Sequence, residues 1–273
     1  MLEFLKAVLF GIVEGITEWL PISSTGHMIL LNEFVKLNVS PEFWEMFLVV
    51  IQLGAIVAVV ILFWNKIFPF RFDKKPMIRK SVFEMWFKVI VACVPAAIVG
   101  IFFDDILEKY LYNYVTVSIA LIVFGVAFLI IEEKNRGKKA KIRKISQITY
   151  KTAALIGLFQ LIAAIFPGTS RSGATIVGAL LIGVSRTVAA EFTFFLAIPV
   201  MLGASLLKVL KFGFAFSAYE LGILFTGMAV AFIVSVFVIK FLMDYIKKND
   251  FKVFGWYRII LGALVLLYFG IFA

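Results

Sequence analysis

Two stretches of this sequence decide how the chain folds, residues 11–27 (GIVEGITEWLPISSTGH) and residues 157–175 (GLFQLIAAIFPGTSRSGAT). In each stretch an apolar run ends at a proline, Pro21 or Pro167, and a short segment rich in small and hydroxylated residues follows before the next apolar run. Because proline ends or kinks a helix, each stretch predicts a helix, a tight turn and a second helix. The two stretches therefore read as two copies of one helical hairpin.

The composition indicates that lipid surrounds these hairpins. Of the 273 residues, 63% are hydrophobic and 16% are aromatic, and the mean hydropathy is +1.04. Such values exclude a soluble domain, and long apolar runs favour a helical bundle over a membrane β-barrel. The net charge of +10 lies mainly in short loops, which is typical of cytoplasmic loops, so nucleic acid is not an expected partner. The single cysteine, Cys93, excludes an internal disulfide.

The apolar runs predict an all-α integral membrane protein with six transmembrane helices plus two re-entrant helical hairpins, arranged as inverted-topology repeats. Re-entrant hairpins are expected because their halves fall short of the ~20 apolar residues that span a bilayer. The predicted spans are 43–65, 85–103, 114–131, 188–207, 220–240 and 254–272. The predicted hairpins are 3–38, with helices at 3–20 and 28–38 around a turn at 21–27, and 150–184.

The chain reads as one membrane domain, 1–273, made of two pseudo-repeats at about 1–132 and 150–273 and a basic linker at about 133–149. The basic segments 66–80, which includes Lys74 and Lys75, and 133–149 are expected on the cytoplasmic side, and the acidic segment 104–109 on the outer side. The hairpins would then enter from opposite faces. A repeated pattern supports duplication: Glu42-Phe43 precedes Leu53-Gly54-Ala55 at the spacing with which Glu191-Phe192 precedes Leu202-Gly203-Ala204. In such proteins the working site lies near the bilayer midplane.

The first stretch carries two carboxylates, Glu14 and Glu18, which are four residues apart and so share one face of a helix. Three arrangements relieve the repulsion between them: one carboxylate holds a proton, a divalent cation bridges the pair, or an arginine compensates. Magnesium or calcium fits oxygen ligands of this kind, whereas zinc does not, because the chain has one histidine and one cysteine. His27, the one histidine, follows directly on Ser23, Ser24, Thr25 and Gly26. It is a candidate acid, base or nucleophile, although a lone histidine is often structural.

The second turn offers what an oxyanion needs. Its candidate binding residues are Gly168, Thr169, Ser170, Arg171, Ser172 and Thr175, and Ser23 and Thr25 of the first turn are candidate substrate-binding residues as well. Glycine lets backbone N–H groups approach a ligand, hydroxyls donate, and Arg171 can hold a phosphate in a bidentate contact. A helix that begins near Ser172 would aim its N-terminus at the same anion. The alternative is that Arg171 only neutralises Glu14 and Glu18. The residues alone thus indicate a membrane phosphatase or a transporter of a phosphate-bearing lipid.

These motifs resemble the two signatures of the undecaprenyl pyrophosphate phosphatase family, the bacitracin-resistance proteins. The match covers Glu14 to Glu18, Pro21 to His27, Pro167 to Thr175 and the later stretch from Ala190 to Pro199, in order. The resemblance implies a bacterial inner-membrane hydrolase that converts undecaprenyl pyrophosphate to the monophosphate carrier for peptidoglycan synthesis. It also implies a site open to the periplasmic side, dependence on a divalent cation and lowered bacitracin sensitivity.

Carried over to this sequence, the resemblance gives Glu14 and Glu18 the metal and acid–base roles and makes His27 essential. Arg171 would hold the phosphate with Ser170 and Thr175, and Ser24 is the candidate nucleophile. His27 or water could attack instead. The runner-up function is a transporter of undecaprenyl phosphate or pyrophosphate across the bilayer, since inverted repeats are a common transporter plan. A purely structural scaffold would leave the buried charges without a purpose. Besides the lipid substrate and membrane lipids, the sequence does not exclude a homodimer.

Overall fold

The structure is a computed structural model that describes residues 1–71 and 77–272, so Lys74 and Lys75 of the predicted basic loop lie outside the described residues. Apart from a short 3₁₀ helix at Ile145–Gln147 and two isolated β-bridges, the regular structure of this part is α-helical. The helices are α1 Leu2–Thr17, α2 Ser24–Phe34, α3 Pro41–Val50, α4 Gln52–Leu62, α5 Trp64–Ile67, α6 Lys80–Phe102, α7 Asp104–Leu111, α8 Tyr114–Asn135, α9 Tyr150–Ile165, α10 Arg171–Ile182, α11 Arg186–Phe212, α12 Ala218–Lys248 and α13 Lys252–Phe272.

Six helical segments in the described part are long and apolar enough to cross a membrane, which confirms the predicted all-α integral membrane fold. They are Pro41–Leu62, Lys80–Phe102, Tyr114–Asn135, Arg186–Phe212, Ala218–Lys248 and Lys252–Ile271. The first of them consists of α3 and α4, which meet at Ile51. Each of the six predicted spans overlaps one of these segments. The acidic segment 104–109 falls in the short helix α7.

The outer surface of the bundle is apolar. Large side chains such as Phe225, Phe237 and Leu264 are 60%, 69% and 57% exposed. A soluble monomer rarely leaves so much contiguous apolar surface in water. The helices therefore present this surface to lipid and keep their polar groups inside.

Each predicted hairpin stretch contains two helices joined by a short turn, while the re-entrant course of the hairpins stays a prediction. In the first hairpin α1 runs into α2, and in the second α9 runs into α10; these helices have 16, 11, 16 and 12 residues. None reaches the length that a full span needs, ~20 residues. The first turn lies earlier in the chain than predicted, because α1 ends at Thr17 and not at residue 20, and α2 begins at Ser24 and not at residue 28. His27 therefore lies in the first turn of a helix. Entry of the hairpins from opposite faces stays a prediction.

Each hairpin packs its first helix against a spanning helix of the other half of the chain, α1 against α12 and α9 against α6. Glycines allow the close approach. A Cβ at Gly11 would lie 2.6 Å from the carbonyl oxygen of Gly227, and one at Gly157 would lie 2.5 Å from that of Ala92. Helices α8 and α13 cross in the same way at Gly125 and Gly255. This reciprocal packing brings the two turns together between the halves.

Candidate functional site

The two turns have the same local structure. Ser23 and Ser170 are the non-glycine residues with positive φ in the described chain, at 75° and 69°. Each caps the helix that follows it: the hydroxyl of Ser23 accepts from the N–H of Gly26 at 3.3 Å, and the hydroxyl of Ser170 accepts from the N–H of Gly173 at 3.1 Å. Serine is a favoured N-cap because its oxygen satisfies an otherwise unpaired N–H. Such backbone strain is common at functional sites.

A buried ion pair joins the turns. Nη2 of Arg171 lies 3.0 Å from Oε1 of Glu18, and both side chains are largely buried. Ser24 donates its hydroxyl to the other carboxylate oxygen of Glu18 at 2.8 Å, and Ser172 donates to the backbone oxygen of Glu18 at 3.2 Å. Glu18, Ser24, Arg171 and Ser172 therefore form one cluster, although they come from stretches about 150 residues apart. The sequence places all four among the candidate site residues.

Arg171 is held from a second side by α11, which the sequence analysis did not include in the site. Its Nη1 donates to the backbone oxygen of Thr193 at 2.9 Å. The hydroxyls of Thr175 and Thr193 are 2.8 Å apart, and Thr175 also donates to the backbone oxygen of Arg171 at 2.9 Å. Among the described residues the Nε of Arg171 has no partner. The guanidinium is thus fixed in direction and keeps a donor for a ligand.

Glu14 lies at the same cluster but is less satisfied. It is 1% exposed, and its Oε1 has no hydrogen-bond partner among the described residues. A buried polar atom without a partner costs free energy, so this oxygen is suited to a ligand. The described chain contains no group of three or more His, Cys, Asp or Glu that could hold a metal. Magnesium, however, is often bound by one or two carboxylates together with phosphate oxygens of the substrate, and Glu14 and Glu18 fit that pattern.

His27 lies beside the cluster, and its two ring nitrogens are both engaged. Nδ1 is 2.7 Å from the backbone oxygen of Ser23, and Nε2 is 2.7 Å from Oη of Tyr257, whose ring stacks on the imidazole at 5.6 Å. A carbonyl oxygen can only accept, so Nδ1 carries the proton and, in the neutral ring, Nε2 accepts from Tyr257. The structure shows no hydrogen bond from His27 to Ser24, Glu14 or Glu18. The essential role of His27 stays a prediction.

Arg258 of α13 was missed by the sequence reasoning. It is 0% exposed and donates to backbone oxygens of both turns: Nη1 to Pro21 at 3.2 Å, and Nη2 to Gly168 at 3.0 Å and Thr169 at 2.7 Å. Its one visible signal is an arginine inside the predicted span 254–272, since charged groups at membrane depth are usually functional. Tyr257, the partner of His27, precedes it directly. Helix α13 thus supplies a third component of the site.

The remaining candidates have mainly backbone roles or no recorded side-chain contact. Gly168 has φ of 88°, and a Cβ there would lie 2.5 Å from the backbone oxygen of Val117 in α8, so the turn requires glycine. Thr169 is 0% exposed, and its hydroxyl has no partner among the described residues. For the hydroxyl of Thr25 the structure records no hydrogen bond within the described chain. Substrate contacts of these residues stay predictions.

Comparison with known proteins gives the family of this chain. The model of the family "Bacitracin resistance protein BacA" matches residues 7–264, which include both turns and Arg258. The chain belongs to the bacitracin resistance protein family. The resemblance stated from the motifs is confirmed, and it extends over nearly the whole chain.

Several family members with assigned names are close relatives. The chain is 67% identical to the undecaprenyl-diphosphatase of Desulfitobacterium hafniense, over 99% of this chain and 97% of that protein. It is 66% identical to undecaprenyl-diphosphatase 1 of Clostridium acetobutylicum, over 98% of each chain. It is 65% identical to an undecaprenyl-diphosphatase of Enterococcus faecalis, over 97% of each chain. The similarity therefore extends over nearly the whole length of each of these relatives.

Proposed function

We propose that this chain is an undecaprenyl-diphosphatase, which hydrolyses undecaprenyl diphosphate to undecaprenyl phosphate and inorganic phosphate. Relatives that are 65% to 67% identical over nearly their whole length carry that name. The observation that carries the proposal is the Glu18–Arg171 pair with Ser24 on the same carboxylate. It places a phosphate-binding cation, an acid–base group and a hydroxyl within one hydrogen-bonded cluster in an apolar protein.

Arg171 and the start of α10 would bind the terminal phosphate. Helix α10 begins at Arg171, so its first unpaired N–H groups and the positive end of its dipole lie beside the guanidinium. Donors fixed in direction before the reaction stabilise the charge of a transferring phosphoryl group without reorganisation. Thr175 and Thr193 keep Arg171 in place.

Ser24 is the nucleophile that this geometry favours. Its hydroxyl already donates to Glu18, which would accept the proton as the serine oxygen attacks the terminal phosphorus. The anhydride bond breaks, undecaprenyl phosphate leaves with the proton that Glu18 accepted, and the phosphoryl group stays on Ser24. Water then attacks the phosphoserine and releases inorganic phosphate, with Glu18 as the general base. Attack by His27 would require the imidazole to give up its contact with Tyr257.

A divalent cation, Mg²⁺ or Ca²⁺, would be held by Glu14 and Glu18 together with phosphate oxygens of the substrate. When bound, it would neutralise phosphate charge. The unpartnered Oε1 of Glu14 supports this assignment. Glu14 would then be required for binding of the pyrophosphate, whereas Glu18 would be required for the proton transfer as well.

The proposed setting is the bacterial inner membrane, with the site open to the periplasmic or extracellular side, where the chain would regenerate the lipid carrier for peptidoglycan synthesis. Bacitracin sequesters the pyrophosphate form of the lipid. Hydrolysis of that form would therefore lower sensitivity to the antibiotic. The exposed apolar side chains of the six spans support a lipid environment. The undecaprenyl tail could remain in that environment while the head group reaches the turns.

The direct test is phosphate release from undecaprenyl pyrophosphate by the detergent-purified protein, with Mg²⁺, with Ca²⁺ and with a chelator. We expect cation-dependent release by the wild type and a loss of at least ~10²-fold in Glu18→Gln and Arg171→Ala, because each removes one partner of the charge cluster. Ser146→Ala in the exposed linker is the matched control and should keep wild-type turnover. Release that Glu18→Gln and Arg171→Ala leave unchanged would place the reaction elsewhere.

The transporter hypothesis predicts a different result. A protein that only moves undecaprenyl phosphate or its pyrophosphate releases no phosphate in detergent, where no second compartment exists. Well-folded wild type without any release would therefore contradict the phosphatase proposal. Movement of labelled lipid across proteoliposomes would then be the next measurement.

A further inference from the structure

The two turns come from opposite halves of the chain, and Arg258 contacts both of them. Nη1 reaches the first turn at Pro21, while Nη2 reaches the second turn at Gly168 and Thr169 and also lies 3.5 Å from the backbone oxygen of Ala120. A guanidinium is planar and forked, so its two ends can hold two groups in a fixed relation. Among the described residues, no other side chain donates to backbone oxygens of both turns.

Arg258 is buried without a carboxylate partner. It is 0% exposed, and no ion pair to it is found among the described residues; its charge is balanced by carbonyl dipoles and by the ring of Phe124, 5.9 Å from Cζ. Burial of a cation on such terms is expensive. An apolar side chain would stabilise the fold at lower cost. The buried arginine therefore indicates that the site requires its guanidinium.

The contact with Thr169 also orients the backbone of the second turn. In a trans peptide the C=O and the N–H point in opposite directions. Because the oxygen of Thr169 points at Arg258, the N–H of Ser170 points away from it, and that N–H has no acceptor among the described residues. The free N–H lies at the start of α10, next to Arg171. Arg258 thereby prepares a backbone donor for an anion that it does not itself touch.

We propose that Arg258 is a positioning residue, which joins the two turns and orients the Thr169–Ser170 peptide so that Glu18, Ser24 and Arg171 face one phosphate. This inference rests on the proposed function for its turnover readout only. It makes the last spanning helix, α13, part of the active-site scaffold. Within the described chain, Arg258 and Tyr257 are the residues of α13 that form hydrogen bonds to the two turns or to His27.

The test compares Arg258→Lys and Arg258→Gln with the matched control Arg186→Gln. Arg186 is also an arginine bound to a buried group, because it pairs with Glu132, which is 2% exposed, but it lies at the start of α11 and away from the turns. Each purified variant is measured for kcat and KM, per folded molecule, and for its thermal midpoint with and without inorganic phosphate. Phosphate is the anion probe, and it needs no turnover.

We expect kcat to fall by ~10²-fold in Arg258→Gln, since a misplacement of the catalytic groups by about 1 Å lowers the rate by that factor. In Arg258→Lys we expect a smaller loss, ~10-fold. KM for the lipid should also rise, because the same turn binds its phosphate, and stabilisation by phosphate should be lost in Arg258→Gln. Lysine should rescue partly, because one ammonium group cannot fork between two turns. Arg186→Gln should lower the thermal midpoint and leave both kcat and phosphate stabilisation intact.

Arg258 variants that lose thermal stability as Arg186→Gln does, with wild-type kcat and phosphate stabilisation per folded molecule, would overturn the inference. If Arg258→Gln does not fold, Arg258→Lys decides by the same two readouts. Wild type that binds phosphate but hydrolyses no lipid would contradict the proposed function alone, and the phosphate arm would still test the positioning role.

Discussion

At the scale of single residues, the site depends on buried polar side chains that have few hydrogen-bond partners. Glu18 has its two carboxylate oxygens engaged by Arg171 and Ser24, while Glu14 keeps one oxygen without a partner among the described residues. Removing one partner of a buried charge pair is costly, about 3–5 kcal/mol, because the other charge stays buried. Small changes at these atoms should therefore have large effects on both folding and turnover.

Ser24→Ala tests the nucleophile. If the serine oxygen attacks, the variant should lose turnover by ~10³-fold or more, because no other hydroxyl among the described residues donates to a carboxylate oxygen of Glu18. Its thermal midpoint should also fall, because one buried oxygen of Glu18 loses its partner. Phosphate release is the measurement, and mapping of a trapped phosphoenzyme supports it. Ser40→Ala, which removes the N-cap of α3 far from the turns, is the control, with a stability loss of ~1 kcal/mol and normal kcat. Near-normal turnover of Ser24→Ala would rule out the serine route.

Tyr257→Phe tests the contact that occupies His27. The substitution keeps the stacked ring and removes the hydroxyl that bonds Nε2 of the imidazole. If His27 acts only in its held orientation, kcat should fall by ~3- to 10-fold, much less than in His27→Ala, because one neutral hydrogen bond contributes ~1 kcal/mol. Tyr219→Phe at the start of α12 is the control and should keep the wild-type kcat. A rise in kcat for Tyr257→Phe would instead mean that the hydroxyl restrains a histidine that must move.

At the scale of elements, close helix crossings at glycine set the positions of the hairpins. The proline and hydroxyl pattern was enough to predict both hairpins, because proline at a helix end is a local signal. The start of α2 at Ser24 was not predicted, since it depends on the positive φ of Ser23, which non-glycine residues adopt rarely. The partners of each hairpin were not predictable either, because hydropathy does not say which helices touch.

Gly157→Ala and Gly203→Ala form a matched pair for this packing. A Cβ at Gly157 meets the backbone of Ala92 at 2.5 Å, whereas a Cβ at Gly203 in α11 meets nothing within 4 Å. The first substitution should destabilise the protein by about 1–3 kcal/mol, because helices α9 and α6 must separate. The second should be neutral or stabilise by up to ~1 kcal/mol through helix propensity. Thermal midpoints in detergent give the comparison, and equal shifts would contradict the described crossing.

At the scale of the whole molecule, hydropathy predicted the six spans well, because a helix that crosses lipid must be a long apolar run of sequence. The assembly of the site was only half predictable. The motifs gave Glu18, Ser24 and Arg171, but Arg258 reaches Pro21 across 237 positions, and Thr193 contacts Arg171 through a backbone oxygen that any residue could supply. Contacts of this kind leave no pattern in one sequence.

Three candidate spans separate the two hairpins, so their bases should lie on opposite sides of the membrane. Lys36, which follows α2, and Lys151, at the start of α9, are exposed positions at those bases. With Cys93 replaced by Ala, Lys36→Cys should react with an impermeant thiol reagent from outside the cell and Lys151→Cys only after permeabilisation. Lys139→Cys in the linker should behave as Lys151→Cys does. Labelling of 36 and 151 from the same side would contradict the inverted arrangement.

The central claim is that the two turns act as one active site through Glu18 and Arg171. The most direct test is a double-mutant cycle on phosphate release with Glu18→Gln, Arg171→Ala and the double variant. Residues that act as a unit are not additive, so we predict that the double variant loses no more than about the larger of the two single losses in kcat. Single losses that multiply in the double variant would mean that the turns contribute independently, and that the pair is not the unit that carries the reaction.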